Sequence, residues 1–297
     1  MSSQSDEIRE SGHVPERVGV LGGGRMGAGI AHAFLLAGCS VAVVERDRDA
    51  ADAARGRVLH AVEVSIARGT TDDSRAVLAE RLSIDTDAAA FSGCGLVIEA
   101  VPEDAGLKLD ALRRVESALG DGPTAAIASN TSSISIDELA AALDHPERFL
   151  GMHFFNPVPA SSLVELVVGA ATDEALVADA QGWVRGIGKT PVTVADAPGF
   201  ASSRLGVALG LEAIRMLEDG VASAEDIDTA MVLGYKHPVG PLRLTDLVGL
   251  DVRLGIAEYL HERLGARFEP PALLRRLVAQ GDLGRKTGQG FYTWTDQ

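Results

Sequence analysis

A histidine and a glutamate in two successive apolar segments have the residue types that acid–base chemistry requires. His153 lies near the end of the run "RFLGMHFF", and Glu165 lies inside the run "LVELVV", where a charged residue is unusual. The prolines of "NPVP" break the first strand and favour a chain reversal near Pro159, which would place the two side chains opposite each other. A buried carboxylate beside an imidazole orients the ring and stabilises its cationic form. The pair predicts a general base for a hydroxyl proton, with a purely structural ion pair as the alternative.

The other histidines have sequence surroundings that favour structural or solvent-facing positions. They are His13, His32, His60, His145, His237 and His261. The chain contains neither an HExxH nor an HxxxH spacing, so we expect no metal site.

A run of small polar residues follows another predicted strand. The segment "SNTSSIS" covers residues 129–135, and ligands gather at the carboxyl ends of the strands of a parallel sheet. Its hydroxyls and the amide of Asn130 could bind a substrate oxygen there. The same residue types favour the N-cap of a helix, and both roles can hold together.

Glycines cluster after the first apolar run of the chain. They form the pattern Gly22-x-Gly24-x-x-Gly27 in "GVLGGGRMGAGIA", between a predicted strand and a predicted helix. Glycine allows a tight turn, close approach of the backbone to a pyrophosphate and close helix packing, and the helix N-terminus faces the phosphates. Glu45 ends the next strand, where a carboxylate binds the ribose hydroxyls and repels a 2′-phosphate. We predict an NAD site, although Arg46 beside Glu45 leaves a phosphate contact open.

These residues need elements to hold them, and the hydrophobic pattern predicts two kinds of domain. Up to residue 196, β-branched runs alternate with helical patterns, which is typical of a mostly parallel sheet with covered faces. The predicted strands are 17–22, 40–47, 95–101, 124–130, 148–155, 162–169 and 190–196, and the helices among them are 25–38, 49–69, 73–82 and 104–119. After "DAPGF" (196–200) the pattern predicts only helices to about residue 280. The predicted fold is an α/β Rossmann-type domain followed by an all-helical C-terminal domain.

The length of 297 residues suits two domains of ordinary size. We predict a flexible N-terminal tail at 1–15, an NAD-binding domain at 16–196 and a helical domain for dimerisation and substrate at 197–297. The segment "RLGVALGLEAIRML" (204–217) is apolar on more than one face. It predicts a homodimer through these helices, with an internal central helix as the alternative.

Charge and composition exclude several classes of function. The chain carries 42 acidic against 27 basic residues, which argues against nucleic-acid and membrane-surface binding. It has no run of about 18 apolar residues, so no membrane span is expected. Cys39 and Cys94 form no CxxC motif, and the polar N-terminus is unlike a secretory signal. We expect a cytoplasmic protein without disulfides.

Taken in order, the motifs resemble those of one known family. They are "GVLGGGRMGAGIA", "LVIEAVPED", "ASNTSSISI", "GMHFFNPVP", "LVEL", "APGF", "HPVGPLRLTDLVGLD" and "LGRKTGQGFY", within residues 16–294. The chain resembles the bacterial 3-hydroxybutyryl-CoA and 3-hydroxyacyl-CoA dehydrogenases. The resemblance implies NAD-dependent oxidation of (S)-3-hydroxyacyl-CoA to 3-ketoacyl-CoA and the reverse reduction, on short chains and in fatty acid metabolism.

The resemblance also implies roles for single residues. His153 is the catalytic base, Glu165 is its partner, and Ser132 contacts the reacting oxygen of the substrate. Arg68 lies at the place of a basic residue that binds CoA. The residues that we assign to the cofactor are Gly22, Gly24, Met26, Gly27, Glu45, Glu103, Lys108 and Asn130, of which Glu103 and Lys108 rest on the resemblance.

Two positions depart from the family pattern. A CoA-contacting serine of the family is Ala61 here, and the active-site asparagine that follows the PGF motif is Ser203 here. Ser203 keeps a hydrogen-bonding group of shorter reach, so we assign it to the catalytic set. The change puts the orientation and the identity of the substrate in question.

Two other functions stay open at this point. One is a dehydrogenase of another 3-hydroxy substrate, an acyl-carrier-protein thioester or a sugar acid. Arg55, Arg57 and Arg68 on one helix suit CoA, whereas an acidic carrier protein would need a local basic patch for docking. The other is a non-catalytic NAD-binding structural or sensory protein, against which the intact catalytic set argues.

Overall fold

Short runs of β-branched and apolar residues form one eight-stranded sheet in the N-terminal part of the chain. The structure is a computed structural model and describes residues 13–120 and 125–295. The strands are β1 (Arg17–Leu21), β2 (Ser40–Val44), β3 (Leu82–Asp85), β4 (Leu96–Glu99), β5 (Ala126–Ser129), β6 (Phe149–Phe154), β7 (Leu163–Val168) and β8 (Thr190–Ala195). Their order is β3-β2-β1-β4-β5-β6-β7-β8, and every neighbouring pair is parallel except β6 with β7. The predicted mostly parallel sheet is confirmed.

Helices connect these strands. They are α1 (Arg25–Leu36), α2 (Arg48–Ala67), α3 (Arg75–Glu80), α4 (Ala105–Leu119), α5 (Ile136–Ala140) and α6 (Glu174–Gly186), with 3-10 turns at Ala88–Phe91 and Pro146–Arg148. Side chains cap the N-termini of all these helices except α1: Asp47 caps α2, Ser74 caps α3, Asp104 caps α4, Ser135 caps α5 and Asp173 caps α6. These caps satisfy backbone N–H groups that the first helical turn leaves without partners.

The strand order reverses at β1, which pairs with β2 on one side and with β4 on the other. Loops that leave such neighbouring strands in opposite directions open a crevice at the carboxyl ends of the strands. The glycine-rich turn follows β1 at this edge, and Glu99 is the last residue of β4. The sheet therefore brings these two features to one side.

The strand β3 and the helices α3 and α6 differ from the sequence-based prediction. The prediction of a helix at 73–82 is wrong at its end, because α3 ends at Glu80 and the chain continues as the edge strand β3. This strand has four residues, of which only Leu82 is fully buried, and such a short alternation cannot be separated from a preceding helical pattern. No prediction covered α6, whose buried residues are Ala180, Trp183 and Val184.

The central strands are buried along their whole length, as expected of strands covered on both faces. Four polar or charged side chains nevertheless lie in or at the ends of these strands and β7: Glu99, Ser129, His153 and Glu165, all less than 7% exposed. Burying a charged group without a partner costs roughly several kcal/mol of folding free energy. Their presence in buried strands indicates a functional site in this region.

The chain divides between Asp196 and Ala197 into two compact units, and the second is helical. Its helices are α7 (Ser202–Glu218), α8 (Ala224–Thr229), α9 (Pro241–Val248), α10 (Leu250–Leu264) and α11 (Ala272–Gln280), with a π-helical turn at Ala230–Gly234 and 3-10 turns at Ala266–Phe268 and Arg285–Thr287. Ser223 caps α8 by accepting a hydrogen bond from the N–H of Asp226. In the part of the chain that the structure describes, no helix is long and apolar enough to cross a membrane.

A buried carboxylate fixes the last described residues to this helical unit. Asp246 of α9 is 1% exposed. It accepts hydrogen bonds from the backbone N–H groups of Phe291 and Tyr292 and from the indole N–H of Trp294, all at 2.8 to 2.9 Å. A second buried carboxylate holds the same segment, since the hydroxyl of Tyr292 lies 2.8 Å from Oδ2 of Asp228 on α8 and donates to it.

The flexible tail expected at 1–15 lies mostly outside the described residues. Of its described residues, Val14 packs against the core of the first unit and Pro15 is half-buried. Packing therefore begins before the first strand, at Val14.

A buried histidine between α1 and α2 makes the stability of the first unit depend on pH. His32 is 2% exposed, and its Nε2 lies 2.9 Å from the hydroxyl oxygen of Ser65. Burial, with a smaller effect of the positive charge of Lys189, lowers the pKa of His32 below its ordinary value of 6.5. The unfolded chain therefore binds this proton more readily than the folded chain. Neutral His32 therefore contributes fully to the free energy of unfolding above pH 6.5. This contribution is lost as the pH falls below that value, because the unfolded chain is then protonated first.

We expect His32→Gln to flatten the pH dependence of stability. Between about pH 7.5 and about pH 5.5 the wild type should lose roughly 1 kcal/mol more of its free energy of unfolding than the variant. Urea unfolding at both pH values measures this difference. His60→Gln is the control, because His60 is exposed on α2, and it should behave as the wild type does. Parallel losses in wild type and His32→Gln would contradict the prediction.

Candidate active site

The glycine-rich turn after β1 has the shape that close contact with a pyrophosphate needs. Gly22 has a φ of +94°, which residues with a Cβ rarely adopt. A Cβ on Gly27 would lie 1.8 Å from the carbonyl oxygen of Gly22, so only glycine lets α1 approach the turn. A Cβ on Gly24, the N-cap of α1, would meet no atom within 4 Å. The space before the helix N-terminus is open, and these residues fit a dinucleotide.

Glu45, directly after β2, is fixed against this turn. Its Oε1 accepts a hydrogen bond of 2.7 Å from the N–H of Gly23, and the guanidinium of Arg57 donates to the carbonyl oxygen of Gly23 at 3.1 Å. The peptide groups of Gly23 are thus held at both ends. The side chain of Arg46 is 84% exposed and donates to Asp47 at 2.9 Å. Sequence reasoning grouped Arg57 with CoA on charge alone and gave no indication of its contact with the turn.

Met26 in the first turn of α1 is half-buried and packs against the core of the first unit. Met26 is an apolar side chain in a set of assigned residues that otherwise consists of glycines and Glu45 in this part of the chain. Its place next to Gly27 puts it beside the glycine-rich turn.

Strands β6 and β7 bring the predicted acid–base pair together. The chain reverses between them, and the antiparallel register sets His153 directly opposite Glu165, which confirms the predicted juxtaposition. Nδ1 of His153 lies 2.8 Å from Oε2 of Glu165, and the two residues are 6% and 1% exposed. A carboxylate can only accept hydrogen bonds, so Nδ1 carries the proton and the lone pair of the neutral ring is on Nε2. The arrangement can take up a proton at Nε2.

Two further contacts fix the end of β6 that carries this histidine. The ring of Phe155 packs against that of His153 with 4.4 Å between the ring centroids. The backbone N–H of Phe154 donates to the side-chain oxygen of Asn130 at 2.9 Å. Asn130 follows β5, so its amide ties the polar segment after β5 to the strand that bears His153.

The polar segment after β5 folds around the carboxylate of Glu103. Five donors lie within 3.2 Å of its Oε1: the hydroxyls of Thr131, Ser132 and Ser133, and the N–H groups of Ser132 and Ser133. Partial burial acts to raise the pKa of Glu103, but the charge of Lys108 and these hydrogen bonds outweigh it, and the pKa is lowered. Glu103 is therefore a carboxylate in the neutral pH range.

The same segment also begins a helix. Ser135 accepts a hydrogen bond from the N–H of Glu138 and so caps α5. Of the two roles weighed for "SNTSSIS", helix capping is confirmed at Ser135, and ligand contact stays a prediction.

Lys108 lies in a buried cluster that sequence reasoning missed. It is 1% exposed, and its Nζ lies 2.8 and 3.0 Å from the two oxygens of Glu99, 3.3 Å from Glu103 and 3.3 Å from the carbonyl oxygen of Val101. Glu99 is fully buried and also accepts from the hydroxyl of Ser129 at 2.6 Å and the N–H of Val101 at 2.7 Å. These partners offset the cost of burying the charges. The one signal in the sequence was an acidic residue ending the apolar run "GLVIE".

The remaining assigned residues lie on α2 and α7. Arg68 is the exposed C-cap of α2, and Ala61 is half-buried on the same helix. Ser203 is half-buried in the first turn of α7, in the second unit. Within the described ranges, no cluster of three or more His, Cys, Asp or Glu side chains could hold a metal ion.

Known proteins match both units of the chain. A family model described as the NAD-binding domain of 3-hydroxyacyl-CoA dehydrogenase matches residues 17–197, and one described as the C-terminal domain of the same enzyme matches residues 199–294. A 3-hydroxybutyryl-CoA dehydrogenase of Mycobacterium tuberculosis is 44% identical over 282 residues, which cover 94% of this chain and 98% of the relative.

Solved structures agree with the sequence matches. The crystal structure of FadB2 from Mycobacterium tuberculosis has a TM-score of 0.89 at 43% identity, over 95% of this chain and 100% of that chain. That of (S)-3-hydroxybutyryl-CoA dehydrogenase PaaH1 from Ralstonia eutropha also has a TM-score of 0.89, at 38% identity and the same coverage. With both units matched and the glycine-rich turn in place, the chain belongs to the 3-hydroxyacyl-CoA dehydrogenase family and is an NAD-dependent oxidoreductase.

Proposed function

We propose that the chain oxidises short-chain (S)-3-hydroxyacyl-CoA to 3-ketoacyl-CoA with NAD and catalyses the reverse reduction, with 3-hydroxybutyryl-CoA and acetoacetyl-CoA as the substrate pair. The observation that carries the proposal is the buried pair of His153 and Glu165, whose nitrogen and oxygen lie 2.8 Å apart. Relatives named 3-hydroxybutyryl-CoA dehydrogenase support 3-hydroxybutyryl-CoA as the substrate.

The residues of the chain handle the proton of this reaction. Bound NAD supplies the acceptor for the hydride from C3 of the substrate. In oxidation, Nε2 of His153 takes the proton of the 3-hydroxyl group, and in reduction the imidazolium returns a proton to the oxygen. Glu165 holds the proton on Nδ1 and stabilises the cation that forms. Ser132 contacts the reacting oxygen through its hydroxyl group.

The cofactor is held, in this proposal, at the carboxyl ends of β1, β2, β4 and β5. The turn and the N-terminus of α1 bind the pyrophosphate, and Glu45 binds the ribose hydroxyls. The full set of residues assigned to the cofactor site is Gly22, Gly24, Met26, Gly27, Glu45, Glu103, Lys108 and Asn130.

We assign the CoA part of the substrate to α2 and Ser203 to the acyl part. Arg68 is exposed at the end of α2, so its charge is available to the anionic groups of CoA. Ser203 can donate and accept a hydrogen bond as the family's asparagine does, with a bridging water to make up for its shorter reach.

We further propose a homodimer formed by the helical unit. On α7, Leu205 is 70% exposed whereas Leu211 on another side is 2% exposed. The neighbouring helices α9 and α10 also expose apolar side chains, with Val248 at 41% and Val252 at 45%. A second copy of the chain would cover such residues.

Both described cysteines, Cys39 and Cys94, are buried and free of disulfides. Buried thiols in this form suit a reducing compartment, which supports the proposed cytoplasmic location.

We expect NAD to bind roughly 100-fold or more tightly than NADP, because a 2′-phosphate would meet the carboxylate of Glu45. Titration of both cofactors gives the dissociation constants. Glu45→Gln should narrow the ratio, and Arg46→Gln, which changes an exposed neighbour, should not. Equal constants for the wild type, or tighter NADP, would mean that Arg46 rather than Glu45 governs the site.

We expect His153→Ala to lower turnover of acetoacetyl-CoA with NADH by roughly 10²- to 10⁴-fold, the usual effect of losing a general acid–base group. Glu165→Gln should also lower it strongly, because the ring loses its orienting carboxylate. Steady-state absorbance measures the rates, and the Kd of NAD should change little in either variant.

His145→Ala is the matched control for this test. His145 also pairs with a glutamate, Glu147, at 3.2 Å, but on the surface, so turnover should stay at the wild-type level. Wild-type rates for His153→Ala would remove His153 as the base. Absence of wild-type turnover with acetoacetyl-CoA would refute the proposed substrate.

We expect Ser203→Ala to reduce kcat/KM for acetoacetyl-CoA by roughly 5- to 30-fold, equivalent to about 1 to 2 kcal/mol for one neutral hydrogen bond. Ser203→Asn should retain much of the activity. Unchanged kcat/KM together with a lower Tm for Ser203→Ala would instead make the hydroxyl a structural contact at the start of α7.

We expect light scattering at low micromolar concentration to give twice the chain mass of 31.0 kDa. Leu205→Glu should shift the protein towards the monomer, because it places a charge in the buried interface. Ile66→Glu, at an exposed apolar residue of the first unit, is the control and should leave the mass unchanged. A mass of 31.0 kDa for the wild type would refute the dimer.

A further inference from the structure

We propose that Glu103 is a positioning residue for Ser132, and that the buried pair of Glu99 and Lys108 holds Glu103 in place for this task. The inference rests on the proposed function, in which Ser132 contacts the reacting oxygen. It gives Glu99 a role, although this fully buried carboxylate takes no part in the proton transfer itself.

Glu103 fixes the backbone of the segment after β5. Of the five donors around its Oε1, the nearest are the hydroxyl of Thr131 at 2.7 Å, the N–H of Ser132 at 2.9 Å and the hydroxyl of Ser133 at 3.0 Å. One carboxylate oxygen has about two lone pairs, so it cannot serve all five donors at full strength. The N–H of Ser133 has a second acceptor in the hydroxyl oxygen of Thr131, at 3.3 Å.

Because five donors share one carboxylate oxygen, the hydrogen bond from the hydroxyl of Ser132 is the weakest of them. This hydroxyl lies 3.2 Å from Oε1, the longest of the five distances, and it competes with shorter and stronger bonds. Glu103 therefore holds Ser132 by its N–H at 2.9 Å and leaves the hydroxyl proton able to turn to a substrate oxygen. This is the arrangement that a positioned donor for a ketone oxygen needs.

Lys108 acts on the polar segment after β5 through Glu103, because its N–H groups face acceptors of the protein. The ammonium group has three N–H donors, and Glu99, Glu103 and the carbonyl oxygen of Val101 are the acceptors around it. Only 1% of the Lys108 side chain is exposed, so these protein acceptors surround its ammonium group. Its charge faces Glu103 at 3.3 Å and keeps that side chain ionised and in place.

Glu99 closes the network from the other end of the polar segment. It accepts a hydrogen bond of 2.6 Å from the hydroxyl of Ser129, the last residue of β5. The oxygen of that hydroxyl in turn accepts from the N–H of Thr131 at 3.2 Å. Ser132 thus lies on a segment whose start is tied to Glu99 and whose middle is tied to Glu103, with Lys108 bridging the two carboxylates.

A double-mutant cycle on the full chain tests this role. In the presence of Ser132, Glu103→Gln should lower kcat/KM for acetoacetyl-CoA by roughly 10- to 100-fold, the size expected when a reacting group is misplaced. In the Ser132→Ala background the same change should lower it by less than about 3-fold, because there is no hydroxyl left to position. The Kd of NAD, measured for every variant, separates a change in cofactor binding from the change in kcat.

Two further variants sharpen the test. Glu99→Gln keeps the shape of the buried side chain, and its effect on kcat/KM should also shrink in the Ser132→Ala background. Glu116→Gln is the matched control, since Glu116 also accepts from two backbone N–H groups of a loop, those of Asp144 and His145. It should leave kcat/KM unchanged. Glu103 itself has a side chain 37% exposed, so Glu103→Gln tests the role even where Glu99→Gln fails to fold.

The outcomes separate this role from the proposed function. Equal losses in kcat/KM for Glu103→Gln with and without Ser132 would show that Glu103 does not act through Ser132, and would overturn the positioning role alone. Wild-type kinetics for Ser132→Ala would refute the substrate contact of Ser132, and the positioning role would fall with it.

Discussion

The hydrogen bond between His153 and Glu165 is the interaction on which the site depends. Burying either group alone in a strand would cost free energy of desolvation. The hydrogen bond between them, 2.8 Å long, offsets that cost. The pairing also depends on the one antiparallel step in the sheet. Because β7 runs against β6, a residue inside β7 meets a residue near the carboxyl end of β6. That end is the edge at which the parallel strands gather ligands.

Carboxylates do a second kind of work along the same edge. Glu45 binds the N–H of Gly23, and Glu103 binds the N–H groups of Ser132 and Ser133. In both cases an acidic side chain shapes a loop by accepting from its backbone. Although the chain has a formal charge of −15, these two carboxylates are hydrogen-bonded to its own backbone, and the N-terminus of α1 beside Gly23 carries the partial positive charge that favours anions.

Local sequence signals were sufficient for the glycine-rich turn and for the reversal between β6 and β7. The glycines and Pro159 are residues whose backbone preferences act over a few positions, and the charge in "LVELVV" fixed which residue would face His153. The pair of Glu99 and Lys108 could not be found in this way. Lys108 looks like an ordinary helical lysine, and its burial follows only from the packing of α4 beside β4. The strand β3 was missed because four residues carry too little periodicity.

The central claim is that Glu165 sets the tautomer of His153, with the proton on Nδ1 and the lone pair on Nε2. ¹⁵N NMR of the protein labelled in its histidine rings reads this directly, with the His153→Gln spectrum assigning the signal. At a pH of about 8, where an ordinary imidazole is neutral, the account predicts a protonated Nδ1 and an unprotonated Nε2 in the wild type, and loss of this preference in Glu165→Gln. A neutral His153 protonated on Nε2 would contradict it.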